Sequence, residues 1–447
     1  MVGAAPVARL ITVVGVSTAL ALGGLIIAPR PAVADDRIDA AAAAARWQAA
    51  EVVDGGMPGL GGTPDWGLTI DTLIALEATG VAPDTSREIT DTLAAHVRDY
   101  NSLDAWSEPG QRIAGATAKL LYAAVVTDSD PTRFGEYDLR AETLDLVAGP
   151  ETGPENGRVK DKVNAPSVDN SNTFGQALAV LGLARSGDLP ENVVEFLIDQ
   201  QCSAGGFRLY PYAFGGGTVT GDCDSQDGAA VLDPDSTAMA VQALLAADEH
   251  AHTPGARDAA LAGADWLLTQ QHSDGSFGGS GPTAAPNSNS TGLAGQALAA
   301  TGHDDAAARA ADWVLSHQLT ADTAGAATAE LGAIAYNPEA LEAARTDGIG
   351  DFQRDQWRRA TAQALLAPAG IALGDIGTEE VVAPPSDGSP DPDDDPTGPV
   401  PPVGADQLPV TGSPVTTIVV AGVALLLVAV ALLMSVRRTG TSQETHR

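Results

Sequence analysis

The sequence has few cations, few aromatic rings and few cysteines. Its 24 Lys and Arg residues stand against 58 Asp and Glu residues, which gives a net charge of −34, and only Lys119, Lys160 and Lys162 are lysines. Nucleic acid binding needs clustered cations, so this balance argues against a nucleic-acid partner. Two cysteines cannot build a disulfide scaffold or a Cys-based zinc cluster. Only 7 Phe, 6 Trp and 6 Tyr occur, and an alanine-rich apolar fraction favours closely packed helices.

Residues 1–34 have the pattern of a secretory signal peptide. Arg9 precedes an apolar run from Leu10 to Ala28, and Ala32-Val33-Ala34 forms a small-x-small cleavage pattern ahead of Asp35. An uncleaved membrane helix is the alternative. We expect cleavage, which places the mature chain outside the cell, where a disulfide persists.

The other end of the chain has three features in a fixed order. They are Leu408-Pro409-Val410-Thr411-Gly412, an apolar run over 415–434 and a basic tail over 435–447. The run is long enough to form a transmembrane helix, and its flanking arginines keep the tail cytoplasmic. This order resembles the LPxTG sorting signal of Gram-positive surface proteins. The resemblance implies that a sortase cleaves between Thr411 and Gly412 and joins Thr411 to peptidoglycan in the cell wall. A tail-anchored membrane protein is the alternative.

Between these ends lie a body and a linker. Residues 375–407 are rich in Pro, Asp and Gly and cannot bury a core, so we predict a disordered, extended linker that spans the wall. Residues 37–374 form the body. One phrase recurs there at 264–271 and 311–318, with a third copy at 196–201.

A second phrase opens the following helices, and its members share a threonine: Thr72, Thr117, Thr173, Thr237, Thr291, a weak copy at Thr328, and Thr361. The mean step of about 50 residues fits two helices and two turns. Period-two patterns are lacking, so the predicted fold is all-α, with about six to seven helical hairpins. Polar residues ahead of each apolar run predict N-caps at Asn172, at Asp235 or Ser236, and at Ser290.

The phrase Gln270-Gln271 followed by Asp274-Gly275-Ser276-Phe277-Gly278 resembles the prenyltransferase and squalene-cyclase repeat, as does the helix start Asp235-Ser236-Thr237-Ala238. The resemblance covers about 40–370 and implies an α/α toroid. That superfamily includes terpene cyclases, protein prenyltransferase subunits, cobalamin carriers and complement thioester domains, so the fold alone selects no chemistry.

The segment from Asp233 to Ala238 resembles the DxDD-Thr-Ala motif of protonating triterpene cyclases. The resemblance implies that Asp235 is the general acid and Asp233 its partner, although Ser236 replaces the final Asp. The alternative is that Asp235 or Ser236 caps a helix. The histidines lack ligand spacing for zinc, and the Cys-Gly-Glu-Gln thioester signature is absent. We therefore expect no cofactor.

The segment between Cys202 and Cys223 is the most unusual in the body. A disulfide between them would stabilise the fold by about 3 kcal/mol. The loop is rich in aromatic rings, and rigid rings suit binding surfaces. A loop that plugs the barrel is the alternative. The candidate binding residues are Phe207, Tyr210, Tyr212, Phe214 and Asp235, and Asp222, Asp224 and Asp227 are weak candidates for Ca²⁺.

Three hypotheses remain. In the first, which we prefer, a wall-displayed toroid binds an unidentified ligand without catalysis. In the second, a secreted enzyme, either terpene-cyclase-like or polysaccharide-processing, uses Asp233 and Asp235. In the third, the protein is a structural part of the envelope.

Overall fold

The computed structural model describes residues 32–59, 63–104, 109–164, 167–212, 219–225 and 230–378. All of them belong to one compact unit that ends at Pro385. The predicted sorting motif and apolar span, nearly all of the predicted linker and signal peptide, Phe214 and Asp227 lie outside the described residues. Within these ranges, no helix has the length and apolar character needed to cross a membrane.

The described residues form fifteen α-helices, and β-pairing among them is limited to isolated bridges. In chain order the helices are α1 (Ala32–Ala50), α2 (Trp66–Thr79), α3 (Pro83–Ala95), α4 (Val97–Asn101), α5 (Ala114–Val126), α6 (Leu139–Asp145), α7 (Thr173–Ser186), α8 (Glu191–Asp199), α9 (Pro234–Ala251), α10 (Ala256–Gln270), α11 (Ser288–Ala300), α12 (Asp304–Ser316), α13 (Pro338–Asp347), α14 (Asp351–Ala364) and α15 (Leu366–Ala369).

Six of these helices form an inner ring. Helices α2, α5, α7, α9, α11 and α14 pack in that order, and α14 packs back onto α2, so the ring closes. Outer helices α3, α6, α8, α10 and α12 pack behind the first five, and α1 covers α14 and α2. The fold is therefore an α/α toroid of six inner and outer pairs. The seventh predicted repeat was wrong, because Thr328 lies in a turn rather than a helix.

Small residues let the inner helices approach closely. Nearly all of α5 and α7 is buried, and a Cβ added at Gly175 would lie 3.1 Å from the Cα of Gly115. A side chain at Gly175 would push the two helices apart, whereas a Cβ at Gly115 would make an ordinary contact of 3.7 Å with Gly175. The alanine-rich composition thus serves the tight inner ring.

A glutamine joint links successive outer helices. The residue that ends each copy of the first repeated phrase donates from its side-chain Nε2 to a backbone oxygen on the next outer helix. The pairs are Gln201 with Ala259 (2.9 Å), Gln271 with Ala306 (2.9 Å) and Gln318 with Ala40 (2.8 Å). The third joint connects the last repeat to α1 and so closes the outer layer.

The N-caps of the inner helices differ in part from those predicted. Asn172 caps α7 as expected, but Asp233 caps α9 and Asn287 caps α11, so the predictions of Asp235 or Ser236 and of Ser290 were wrong. Both caps lie at least two residues earlier because each helix begins before its first repeated threonine.

The repeats align correctly on a polar residue that lies four positions after the N-cap of the inner helix. Thr237 accepts a hydrogen bond from the Phe207 N–H (2.9 Å), and Gln176 accepts one from the Val159 N–H (2.8 Å). Gln176 therefore occupies the Thr237 position of its repeat. The predicted alignment of Thr173 with Thr237 was wrong by three residues.

The segment after α15 closes one end of the ring. The Leu373 N–H donates to Gln242 on α9 (2.9 Å), the Leu373 carbonyl accepts from the Tyr122 hydroxyl on α5 (2.7 Å), and Gln296 on α11 donates to Ile371 (2.7 Å). These contacts lie toward the C-terminal ends of the inner helices. Within the described residues, this segment therefore covers the ring at the C-terminal ends of the inner helices.

Candidate functional site: a basin at the centre of the ring

Each inner helix carries a stripe of two positions, which lie two and six residues after the N-cap on α2, α5, α7, α9 and α11 and two residues on either side of Thr361 in the C-terminal half of α14. Ten of these twelve positions are accessible, whereas Met239 and Leu293 are buried. The three residues between the two positions are buried in every case. The stripe residues are Gly67 and Asp71 on α2, Gly115 and Lys119 on α5, Phe174 and Leu178 on α7, Asp235 and Met239 on α9, Asn289 and Leu293 on α11, and Arg359 and Gln363 on α14.

This stripe faces the axis of the ring. Residues two and four positions after a cap point in directions about 200° apart around the helix. The side chain four positions after the cap binds a loop outside the ring, so the residue two positions after the cap points toward the axis. One helical turn further toward the C-terminus, the next positions on the same face of four helices are buried alanines: Ala75, Ala123, Ala243 and Ala297. The stripes therefore line a basin about two helical turns deep, which we call the central basin.

The central basin has an apolar side and a polar side. Phe174, Leu178, Met239 and Leu293 lie on α7, α9 and α11, whereas the stripes of α2, α5 and α14 are mostly polar. Such a division suits a ligand that is itself partly apolar and partly polar.

Ion pairs hold the cations of the polar side. The Lys119 ammonium lies 2.6 Å from Asp71 and donates to the Gly67 carbonyl (2.9 Å). Burial has the largest single effect and lowers the pKa of Lys119, but Asp71, Tyr100 and Asp65 together outweigh it and the pKa is raised overall. Arg359 pairs with Asp65 and Asp355. Neither cation therefore presents an unpaired charge to a ligand.

Asp235 lies at the rim of the apolar side, on α9, whose neighbours in the ring are α7 and α11. Burial, followed by the nearby Asp233 carboxylate, raises the pKa of Asp235 to about 7, against a smaller opposing effect of a hydrogen bond with Ser290. Its Oδ1 atom is buried and has no hydrogen-bond partner in the described part of the protein. A carboxyl in this environment keeps its proton at mildly acidic pH and can donate it.

Asp233, by contrast, has a structural role. It is only 4% exposed, and its Oδ2 accepts from the Ser236 N–H (2.8 Å) and from the Ser236 hydroxyl. The residue that replaces the final Asp of the cyclase motif thus donates to the first Asp. The two predicted carboxylates lie together, but Asp233 caps α9 and Asp235 faces the basin.

The predicted disulfide between Cys202 and Cys223 is confirmed, with Cα atoms 4.9 Å apart. Inside the loop that it closes, the buried Arg208 guanidinium donates to Gln200 on one side and to Thr220 on the other (2.6–3.0 Å). Burial lowers the pKa of Arg208 to about 10. The disulfide and Arg208 together hold the described parts of the loop, residues 202–212 and 219–223, to each other.

The loop forms one wall of a second cavity of about 470 Å³, which we call the Tyr pocket. Its other lining residues are Val231 and the segment 280–282, and the loop contributes Arg208, Leu209, Tyr210 and Tyr212. Tyr210 and Tyr212 stack with ring centroids 5.4 Å apart. Two of the predicted binding residues therefore lie together at a cavity.

Other predicted site residues lie elsewhere. Phe207 is fully buried in the main hydrophobic core, so we assign it to the core rather than to a ligand. Asp222 accepts hydrogen bonds from Ser225 and Asp224 accepts from Ser203. Among the residues that the structure describes, no group of three His, Cys, Asp or Glu side chains is placed to hold a metal ion.

Sequence reasoning missed most of the basin. Asp71, Lys119, Asn289 and Arg359 carry no recognisable motif. These residues share one position when the repeats are aligned correctly. That alignment requires the caps to be placed at Asp233 and Asn287.

No protein-family model matches the chain, and no curated protein matches it either. Among solved structures, a protein from Actinoplanes is 20% identical, with a TM-score of 0.50 and coverage of 75% of this chain and 99% of the other. A variant of the type II terpene cyclase MstE from Scytonema, bound to geranylgeranyl dihydroxybenzoate, is 14% identical (TM-score 0.49, coverage 77% and 100%). An inactive α-1,6-mannanase of Salegentibacter with α-1,6-mannotriose is 13% identical (TM-score 0.49, coverage 75% and 99%). At these identities, the likeness to the Actinoplanes protein supports the toroid fold alone.

Proposed function

We propose that this protein is an extracellular, wall-anchored module that binds a small uncharged amphipathic ligand in the central basin. The observation that carries the proposal is an accessible position in the same place on all six inner helices, with a second accessible position one turn further on α2, α5, α7 and α14. A ring built only for rigidity would fill all of these positions with packed apolar side chains. Here only Met239 and Leu293 are buried, and the accessible positions differ in polarity from one side to the other.

The charges around the basin indicate what kind of ligand fits. Lys119 and Arg359 are neutralised by Asp71, Asp65 and Asp355, and Asp235 is largely protonated below pH 7. An anionic ligand would have to displace one of these pairs, and a buried ion pair that loses a partner is costly. An uncharged ligand places its apolar part against α7 and α9 and its hydroxyl or amide groups against α2 and α14.

Octyl β-glucoside below its micelle concentration is a suitable probe, and calorimetry measures its binding. We expect saturable binding to one site per chain. Leu178→Glu puts a charge on the apolar side of the basin, so it should weaken binding at least tenfold, which is about 1.4 kcal/mol. The matched control is Leu268→Glu on the outer helix α10, where the leucine is already 36% exposed. Equal losses in the two variants would refute the basin as the binding site.

A second function is supported by Asp235. A protonated carboxyl at the rim of a partly apolar basin, with one buried oxygen lacking a partner, is suited to acid catalysis on a bound ligand. Asp235→Asn should retain the probe under either function, so binding is measured together with product analysis of the incubated probe. A binding module leaves the probe chemically unchanged in the wild type and the variant, whereas an acid catalyst converts it in the wild type and loses that ability in Asp235→Asn.

We also propose secretion and covalent attachment of Thr411 to peptidoglycan by a sortase, which the order of motifs in the sequence supports. Wall digestion should release the mature protein, whereas detergent alone should leave it in the wall. Thr411→Ala should move the protein to the detergent-soluble membrane fraction. Full extraction of the wild-type protein by detergent would contradict the anchor.

A further inference from the structure

We propose that the Tyr pocket is a second ligand site, separate from the central basin, and that it takes an uncharged ligand with a flat apolar ring. The proposal goes beyond the proposed function, because none of the residues that line this pocket belongs to the stripes of the basin.

The first argument is the built wall of the pocket. Tyr210 and Tyr212 are two residues apart and stack at an interplanar angle of 29°, which presents a broad aromatic surface. The Thr173 N–H donates to the Leu209 carbonyl (2.9 Å), and the Thr220 N–H donates to the Pro211 carbonyl (3.0 Å). The backbone just before Tyr210 and between the two tyrosines is therefore held by hydrogen bonds, and a ligand finds the rings already in place.

The second argument is the chemistry of the lining. Val231 is 65% exposed at the rim although it is apolar, and Leu209 and Pro282 add further apolar surface. Among the described residues of the lining, Arg208 is the one with a charge, and its guanidinium donates to Gln200 and Thr220. Apolar walls of this kind favour a ligand without charge, and stacked rings favour a flat one.

The third argument is size. A cavity of about 470 Å³ lies in the usual range for small-ligand sites. It is too small for a folded partner. The hydroxyls of Tyr210, Tyr212 and Ser280 give a ligand three polar atoms that can fix its orientation.

The probe for this site is N-phenyl-1-naphthylamine, a neutral aromatic compound that fluoresces when it leaves water. We expect saturable binding to the full chain, weakened at least tenfold in the Tyr210→Ala/Tyr212→Ala double variant. Val231→Glu keeps both tyrosines and places a charge at the exposed rim, so it should weaken binding as well. Near-ultraviolet circular dichroism and the melting temperature show whether each variant is folded.

Two controls make the test decisive. Leu178→Glu alters the basin alone and should leave the affinity for this probe unchanged. Tyr137→Ala removes a tyrosine that packs under Arg98, far from the pocket in the repeat order, and should also have no effect. Loss of binding in Leu178→Glu with retention in the tyrosine double variant would place the probe in the basin and overturn the proposal. Displacement of the probe by cellobiose would overturn the assigned ligand class.

Discussion

Gly275→Ala should destabilise the toroid by roughly 3 kcal/mol or more, whereas Gly302→Ala should cost about 1–2 kcal/mol. Both glycines have a positive φ, +94° and +78°, so alanine at either position lowers the free energy of unfolding because it must adopt a left-handed backbone. They differ in their surroundings. A Cβ at Gly275 would lie 2.5 Å from the backbone oxygen of Arg309, whereas a Cβ at Gly302 would meet no atom within 4 Å.

The additional cost at Gly275 comes from the joint between outer helices. Gln271 reaches from the same turn to the Ala306 carbonyl on α12 (2.9 Å), and alanine at 275 would push α12 away and break that bond. Equilibrium unfolding in urea measures both variants against the wild type. Equal costs in the two variants would mean that the close approach to Arg309 contributes nothing to stability.

The repeated phrases predicted the number of helix pairs well because they contain the residues of these joints. The same hydrogen bond to the next outer helix is made in three repeats by Gln201, Gln271 and Gln318. Because the same bond requires the same residue type, glutamine recurs in the sequence. Thr237 and Thr291 likewise accept from a backbone N–H of the preceding loop. The all-α helix pairs were therefore predictable from the residues, whereas the toroid was implied by the resemblance of the repeats to a known family. The disulfide was predictable because only two cysteines occur in a chain expected to be secreted.

The alignment of the repeats was harder to predict, because different side chains can accept the same hydrogen bond. Gln176 and Thr237 both accept from a backbone N–H of the preceding loop, and a search for threonine selects Thr173 instead. The caps shift for a similar reason, because Asn and Asp serve equally well there. The basin was not predictable for a further reason. Its wall alternates Gly, Phe, Asp, Asn and Arg at one position, so no single residue type marks it.

The separation of roles between Asp233 and Asp235 also needed the structure. In sequence they are two acids two residues apart, and either one fits a cap or a proton donor. Backbone geometry decides between them: Asp233 is the extended residue before α9, whose side chain reaches Ser236, whereas Asp235 is in the first helical turn and faces the basin.

Asp235→Asn should make the protein more stable than the wild type at pH 8 and leave it nearly unchanged at pH 4. The pKa of Asp235 is about 7 in the fold and about 3.9 in an unfolded chain. Because the folded state holds the proton more tightly, this stabilising contribution is complete below pH 3.9 and is lost progressively as pH rises to 7. The loss amounts to at most about 4 kcal/mol, and asparagine, which cannot ionise, avoids it.

Urea unfolding of the wild type and the variant at several pH values between 4 and 8 measures this difference. The control is Asp265→Asn on the outer helix α10, where the carboxylate is 74% exposed; its profile should run parallel to that of the wild type. A parallel profile for Asp235→Asn would show that the carboxyl is ionised in the fold at low cost. Acid catalysis by Asp235 would then lose its physical basis, because a carboxylate ionised throughout this range holds no proton to donate. A profile that diverges from about pH 4 upward and levels off near pH 7 would instead establish a poised proton at the rim of the basin.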